Sequence, residues 1–186
     1  IDIGGTKIAS AVVTPSGQVL GRARDETPET SESSEIVVAA VRVAREALKD
    51  AGQELADTQV VGLSCAGIVN TTEGVAVFSP NIQALKHTPL RDMLADRLGC
   101  EVRLGNDASL AALGEWHYGL KRRVSNLVYV TVSTGIGGGI ISAGKLIEGA
   151  CGAAGEVGHM TIDVNGPPCP CGRNGCWESL AAGRAL

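Results

Sequence analysis

The stretch LVYVTVSTGIGGGIISAGK, Leu127 to Lys145, reads as a strand, a glycine turn and a second strand. Val128, Tyr129, Val130 and Val132 give Leu127 to Ser133 the β-branched and aromatic composition of a strand. Ile140 to Ser142 resumes the strand beyond Thr134-Gly135-Ile136-Gly137-Gly138-Gly139, and Ala143-Gly144-Lys145 turns again. The glycine run is not a dinucleotide fingerprint, because Ile140 stands where its last glycine belongs. Gly139 to Lys145 nearly matches a P-loop, but Leu146 replaces the required Ser or Thr and a strand surrounds it instead of a helix. What remains is a glycine hairpin with Thr134 at its mouth. A turn that serves only the fold would be written the same way.

The first residues of the chain repeat the device. Ile1 to Ile3, Ile8 to Val13 and Gln18 to Arg24 read as short strands, with Pro15-Ser16-Gly17 turning between the last two. Asp2, Gly4, Gly5, Thr6 and Lys7 fall at the first bend. Consecutive amides and a Thr hydroxyl make a small anion nest there, and Asp2 is placed to hold a cation, although a tight turn needs glycine in any case. Two such hairpins, each opening an αβ half, predict an internal duplication gripping a phosphate chain. The expected domains are residues 1–120 and, starting a second α/β domain, residues 121–186.

Between the hairpins the punctuation is that of an α/β chain. Helical spacing of Ile36, Val37, Ala40, Val41, Ala44, Ala47 and Leu48 predicts a helix from Glu35 to Ala51, capped by Ser33-Ser34 and ended by Gly52. Val60 to Ala66 is a near-continuous apolar strand of the kind covered on both faces, with Gly67 at its carboxyl end. Asn70 to Pro80 reads as a loop carrying a short apolar run, Val75 to Phe78, before Ser79-Pro80-Asn81. Thr88-Pro89 starts a helix to Leu98, closed by Gly99. Glu101 to Leu104 is a strand, Gly105-Asn106-Asp107 a turn, and Ala108 to about Tyr118 a helix. Asp107 thus lies at the carboxyl edge of a sheet, the usual address of reactive groups in α/β folds, where it is equally well placed as a helix N-cap.

Downstream, EVGHMTIDVNGPPCPCGRNGCWE, Glu156 to Glu178, sets His159, Cys169, Cys171 and Cys176 within a Gly- and Pro-rich segment. Three thiolates and an imidazole complete a tetrahedral zinc set with no open position, so the metal would be structural, folding a loop with little to bury. Disulfides, or ordinary small buried cysteines, are the alternatives. Glu156, His159 and Glu178 would stand at the edges of this knot, ready to bond a polar ligand.

Composition bounds the rest. The 186 residues are 44% apolar and 19% charged, with 2 Trp, 2 Tyr and 1 Phe, so the class is globular with an aliphatic interior. A net charge of -4 without a basic cluster argues against a nucleic-acid surface. Neither a membrane span nor a signal peptide is expected. Cys65, Cys100 and Cys151 are scattered in apolar or glycine-rich contexts, which favours reduced thiols and a cytoplasmic protein. The chain starts at Ile1 inside a strand pattern and stops at Leu186 inside a helical one, so both ends are expected to be cut.

Together these residues resemble the ROK family of sugar kinases and repressors, within the actin/hexokinase-like ATPase fold. Asp2-Ile3-Gly4-Gly5-Thr6-Lys7 is similar to its first phosphate motif, Asn106-Asp107 to its catalytic pair and Thr134 to Gly138 to its second phosphate motif. Glu156-x-x-His159 and Cys169-x-Cys171-Gly172-x-x-Gly175-Cys176-x-Glu178 match its signature. The resemblance implies a duplicated actin-like (ribonuclease H-like) α/β fold, truncated at the carboxyl end of its second domain. It implies ATP-dependent phosphorylation of a hexose, glucose to glucose 6-phosphate first, with Asp107 as general base. Gly67, Asn81, Asn106, Glu156, His159 and Glu178 are implied as sugar contacts. Asp2, Gly4, Gly5, Thr6, Lys7, Thr134, Gly135, Gly137 and Gly138 are implied on the nucleotide, with Mg²⁺ alongside ATP and structural Zn²⁺ on His159, Cys169, Cys171 and Cys176. A homodimer or homotetramer without nucleic-acid or membrane partners is expected. A sugar-sensing repressor, an N-acetylhexosamine kinase and a polyphosphate-dependent kinase are the alternatives. Cys65-Ala66-Gly67 departs from the family's Pro-containing sugar loop, and the adenine-binding segment is absent, so this stretch alone is expected to be inactive.

Overall fold

The apolar residues of the opening strands build a first layer, and helices that follow them in the chain pack on it. The computed structural model describes residues 1–183 and 185, and the chain divides into two compact units, Ile1–Asp107 and Ala108–Leu186. The first runs β1 (Asp2–Ile3), β2 (Lys7–Val13), β3 (Val19–Glu26), α1 (Ser33–Ala51), β4 (Val61–Cys65), β5 (Ile68–Asn70), β6 (Val75–Phe78), β7 (Lys86–Thr88), α2 (Leu90–Leu98) and β8 (Val102–Asn106). Its main sheet has the order β3-β2-β1-β4-β8. The hairpin strands are antiparallel, whereas β4 joins β1, and β8 joins β4, in parallel. Ile3, Ile8, Leu63, Val43 and Leu94 are wholly buried in the core. Each such aliphatic side chain contributes about 1.5–3 kcal/mol of transfer free energy.

α1 buries the face that its spacing predicts, from Ile36 to Leu48. It ends at Gly52 in the left-handed conformation (φ 64°), where the Gly52 and Gln53 amides close on the Lys49 and Leu48 carbonyls. The expected serine caps do not form. Glu32 occupies the N-cap position without a side-chain cap bond, and Ser33 and Ser34 are already in the helix. At α2 the helix begins at Leu90, with Pro89 as the cap, because Thr88 is committed to the β6–β7 ladder opposite Ala76. The stretch expected as a loop, Asn70 to Pro80, instead contributes to a second sheet, β5-β6-β7. Its three- and four-residue strands are too short to show a period.

The second unit takes α3 (Asp107–Gly114), which starts on the last residue of the first, then β9 (Leu127–Val132), β10 (Ile136–Ser142), β11 (Lys145–Ile147) and α4 (Trp177–Ala181). Its sheet is antiparallel, in the order β11-β10-β9. Two sequence expectations change here. The helix after Asp107 is α-helical only to Gly114 and then widens into a π turn over Glu115–Gly119, with the Leu120 amide reaching Glu115 O at 2.7 Å. The glycine run belongs to a strand and not to the turn, since Gly137, Gly138 and Gly139 pair with Thr131, Val130 and Tyr129. The turn itself is only Ser133-Thr134-Gly135, and the run is glycine because neighbours press on it. A Cβ on Gly139 would stand 2.5 Å from Ala112 Cβ, and one on Gly138 would stand 2.8 Å from Val157 Cγ2. The helix expected to continue to Leu186 lies partly outside the described residues, and α4 ends at Ala181.

Candidate functional site

In the first unit, register gathers the candidates. Asp2 pairs with Ser64 and Ser64 with Gly105, while Ile3 pairs with Cys65 and Cys65 with Asn106. The parallel strands β1, β4 and β8 therefore end together, delivering Gly4, Ala66-Gly67 and Asn106-Asp107 to one edge, where α/β sheets place their ligands. Asp2 Oδ1 accepts from Ser64 Oγ at 2.7 Å. The β1–β2 bend is braced from β3's end, with Thr27 Oγ1 donating to Gly4 O at 2.7 Å and Thr27 N to Thr6 O at 3.1 Å. Thr6 and Lys7 remain exposed. Gly5 packs on Asn81 so closely that a Cβ would stand 2.5 Å from Asn81 Cβ, which brings two separately chosen candidates together.

Asn106 holds the edge in order. Its Nδ2 donates to Gly67 O and to Asp107 Oδ1, each at 3.0 Å, so one amide aims the carboxylate and fixes the loop after β4. Beneath them, burial and then the charges of Asp107 and Asp2 push the Cys65 thiol up to about 12. Both carboxylates are thus within electrostatic reach of one buried sulfur. Sequence reasoning missed Ser79, which is 2% exposed and has no hydrogen-bond partner for its Oγ among the described residues. Its backbone lies against Gly67, and only tertiary contact could single it out.

In the second unit, Thr134 is exposed in the turn, and the Ser133 amide bonds Gly135 O at 2.8 Å. Gly137 and Gly138 stand apart from that turn, in the ladder with β9. The segment after β11 presses on β10 from Gly155 onward and makes a single 3-10 turn, Val157–His159, with Glu156 at its cap position. Glu156 Oε2 lies 3.8 Å from His159 Nε2.

The metal candidates converge. One ligand atom from each of His159, Cys169, Cys171 and Cys176 lies within 4.8 Å of all the others. Tetrahedral zinc with bonds of about 2.3 Å to sulfur and 2.0–2.1 Å to nitrogen requires roughly 3.8 Å between sulfurs and 3.5 Å from sulfur to nitrogen. Cys171 Sγ and Cys176 Sγ are 3.6 Å apart, and Cys169 Sγ is 3.5 Å from His159 Nδ1. The donor set therefore fits zinc through Nδ1, leaving Nε2 on the Glu156 side. The same spacing removes the disulfide alternative, since a bonded pair needs about 2.0 Å, and these cysteines are free. Bonds from the Cys169 amide to Arg173 O and from Gly172 to Cys169 O close the knuckle, and an antiparallel bridge pairs Thr161 with Cys176. The Arg173 amide holds the Cys171 thiol down at about 6, so a thiolate is available at neutral pH, whereas burial pushes Cys176 up to about 11. A bound cation displaces such protons.

Among the described residues no helix is long and apolar enough to cross a membrane. A family model described as the ROK family matches residues 1–186. Glucokinase of Streptomyces coelicolor is 40% identical over 186 residues, 100% of this chain and 56% of that protein. N-acetylmannosamine kinase of Escherichia fergusonii is 40% identical over 186 residues, 100% of this chain and 61% of that protein. The crystal structure of a ROK family glucokinase from Streptomyces griseus in complex with glucose and AMPPNP matches with a TM-score of 0.86 and 39% identity, over 99% of this chain and 56% of that one. The chain thus spans little more than half the length of the relatives it matches.

Proposed function

Since this chain belongs to the ROK family, we propose that it carries the acceptor-side chemistry of an ATP-dependent hexose kinase, with glucose as the first acceptor. Its α/β fold is the actin-like ATPase fold of the ROK sugar kinases. The observation that carries the proposal is the Asn106 amide, which aims Asp107 and holds Gly67 at 3.0 Å each. A sugar hydroxyl is a weak nucleophile, and a fixed carboxylate that accepts its proton as the phosphoryl group arrives in line makes transfer feasible.

In this mechanism Asp107 takes the hydroxyl proton; Asn81, Asn106 and the Gly67 loop are the hexose contacts assigned to the first unit, and Glu156, His159 and Glu178 those assigned separately to the second. A site bonding several hydroxyls at once rejects acceptors that lack one. Gly4, Gly5, Thr6, Lys7, Thr134, Gly135, Gly137 and Gly138 are assigned to the donor's phosphates, and Asp2 to the magnesium that accompanies them. Magnesium held there would supply neutralisation of phosphate charge. His159, Cys169, Cys171 and Cys176 would hold zinc, which would fix the tautomer and aim of His159. The free thiols support a reducing, cytoplasmic setting.

A second acceptor, N-acetylmannosamine, is favoured by the equal 40% identity to its kinase. ADP release by the full-length protein, followed with glucose, mannose and N-acetylmannosamine in turn, ranks the acceptors by kcat/KM. Absence of turnover with every one of them, in protein that binds ATP, would sink the kinase proposal.

A further inference from the structure

Glu178 does more in the fold than face a ligand. Its Oε2 accepts from the Ile136 amide at 2.9 Å, the first amide of β10 after the Ser133-Thr134-Gly135 turn. The two are pressed together, since a Cβ on Gly135 would stand 2.5 Å from that same Oε2. The connection continues on both sides. Cys176, one of the four metal candidates, sits at the cap of α4 two residues before Glu178, and the Trp177 amide bonds Met160 O at 2.9 Å next to His159. Beyond α4, the Gly183 amide reaches back to Ser133 O at 2.7 Å. A five-residue helix that grows out of the metal knuckle therefore grips one end of a short turn, and the residue two positions beyond it grips the other.

We propose that Glu178 is a positioning residue whose carboxylate straps the Thr134-Gly135 turn to the metal knuckle, so that the knuckle sets the shape of the turn assigned to the donor's phosphates. This rests on the kinase reading only for what the turn holds; the strap itself is a contact within the second unit. One carboxylate then serves two partners, with Oε2 committed to the Ile136 amide and Oε1 left for the hexose of the kinase reading. Acceptor binding and the donor-side turn are linked through one side chain.

The test uses the zinc-loaded full-length protein and reads hydrogen exchange at the Ile136 amide without substrates. Glu178→Ala should speed that exchange roughly tenfold to a hundredfold, the equivalent of one lost hydrogen bond to a charged group. Glu178→Gln keeps an acceptor oxygen and should preserve protection. Gly135→Ala pushes the carboxylate away from the other side and should mimic Glu178→Ala without touching Glu178. Stripping zinc from wild-type protein with a chelator should also expose the amide. Unchanged exchange in Glu178→Ala with zinc retained overturns the strap, and unchanged exchange on zinc removal overturns its link to the knuckle. Calorimetry separates the two partners: Glu178→Ala should weaken both ATP and hexose, Glu178→Gln hexose alone. ATP affinity that survives Glu178→Ala counts against the proposal. A wild-type protein that binds no hexose, yet exposes Ile136 in Glu178→Ala, supports the strap and sinks the kinase reading instead.

Discussion

Asp107→Asn exchanges one carboxylate oxygen for an amide nitrogen at constant heavy-atom count, which makes the side chain a sharp probe of proton acceptance. Replacing it by Asn in the full-length protein keeps the volume and leaves Gly67 bonded to Asn106, but removes the proton acceptor. We expect kcat to fall at least about 100-fold, the lower end of general-base contributions, while calorimetric glucose binding persists. Cys65 offers a second test, on stability. Burial, followed by the charges of Asp107 and Asp2, raises its thiol from 9.0 to about 12. The folded thiol thus keeps its proton where the unfolded one has lost it. That contribution is complete below pH 9 and is lost as pH rises from 9 toward 12. Urea midpoints should fall across the lower part of that window in wild-type protein and fall less in Cys65→Ala. The same thiol should resist alkylation until the protein unfolds.

At the scale of elements, the knuckle and β10 are the parts whose sequence most constrains their geometry. Cys171→Ser removes one of three thiolates from a set fitted to zinc, and bound zinc per protein, read by elemental analysis, should drop well below that of wild type. Amides of the 160–176 segment should then exchange faster, because that segment buries little to order itself. Undiminished metal content would remove Cys171 from the ligand set. In β10, Gly139→Ala forces a methyl group to within 2.5 Å of Ala112 Cβ and 3.0 Å of Ala108 O. Overpacking of this kind costs about 1–3 kcal/mol, and a lowered thermal midpoint with zinc content unchanged is the expected result. The knuckle was legible because ligand spacing is local, and α1 was legible because its period repeats over 19 residues. The glycine run was assigned to the turn because composition alone cannot separate glycine needed for bending from glycine needed for contact.

For the whole molecule, what stands out is the face of β9 in the second unit. Val128 and Val132 are 62% and 60% exposed on a strand that, among the described residues, is bonded on one side only, to β10. An apolar face on an open edge associates in water. We expect the 186-residue chain on its own to self-associate in light scattering, and Val128→Lys with Val132→Lys to reduce this. The sequence by itself determined the α/β class, both glycine hairpins and the Cys-His knuckle, because periodicity, turn chemistry and ligand spacing are written within a few residues. Tertiary structure alone decided that Asn106 bonds Gly67, that Gly5 backs onto Asn81 and that Glu178 grips the Ile136 amide. Each of these joins residues distant in the chain through strand register and packing, and side-chain identity carries no record of which distant atom will arrive within 3 Å.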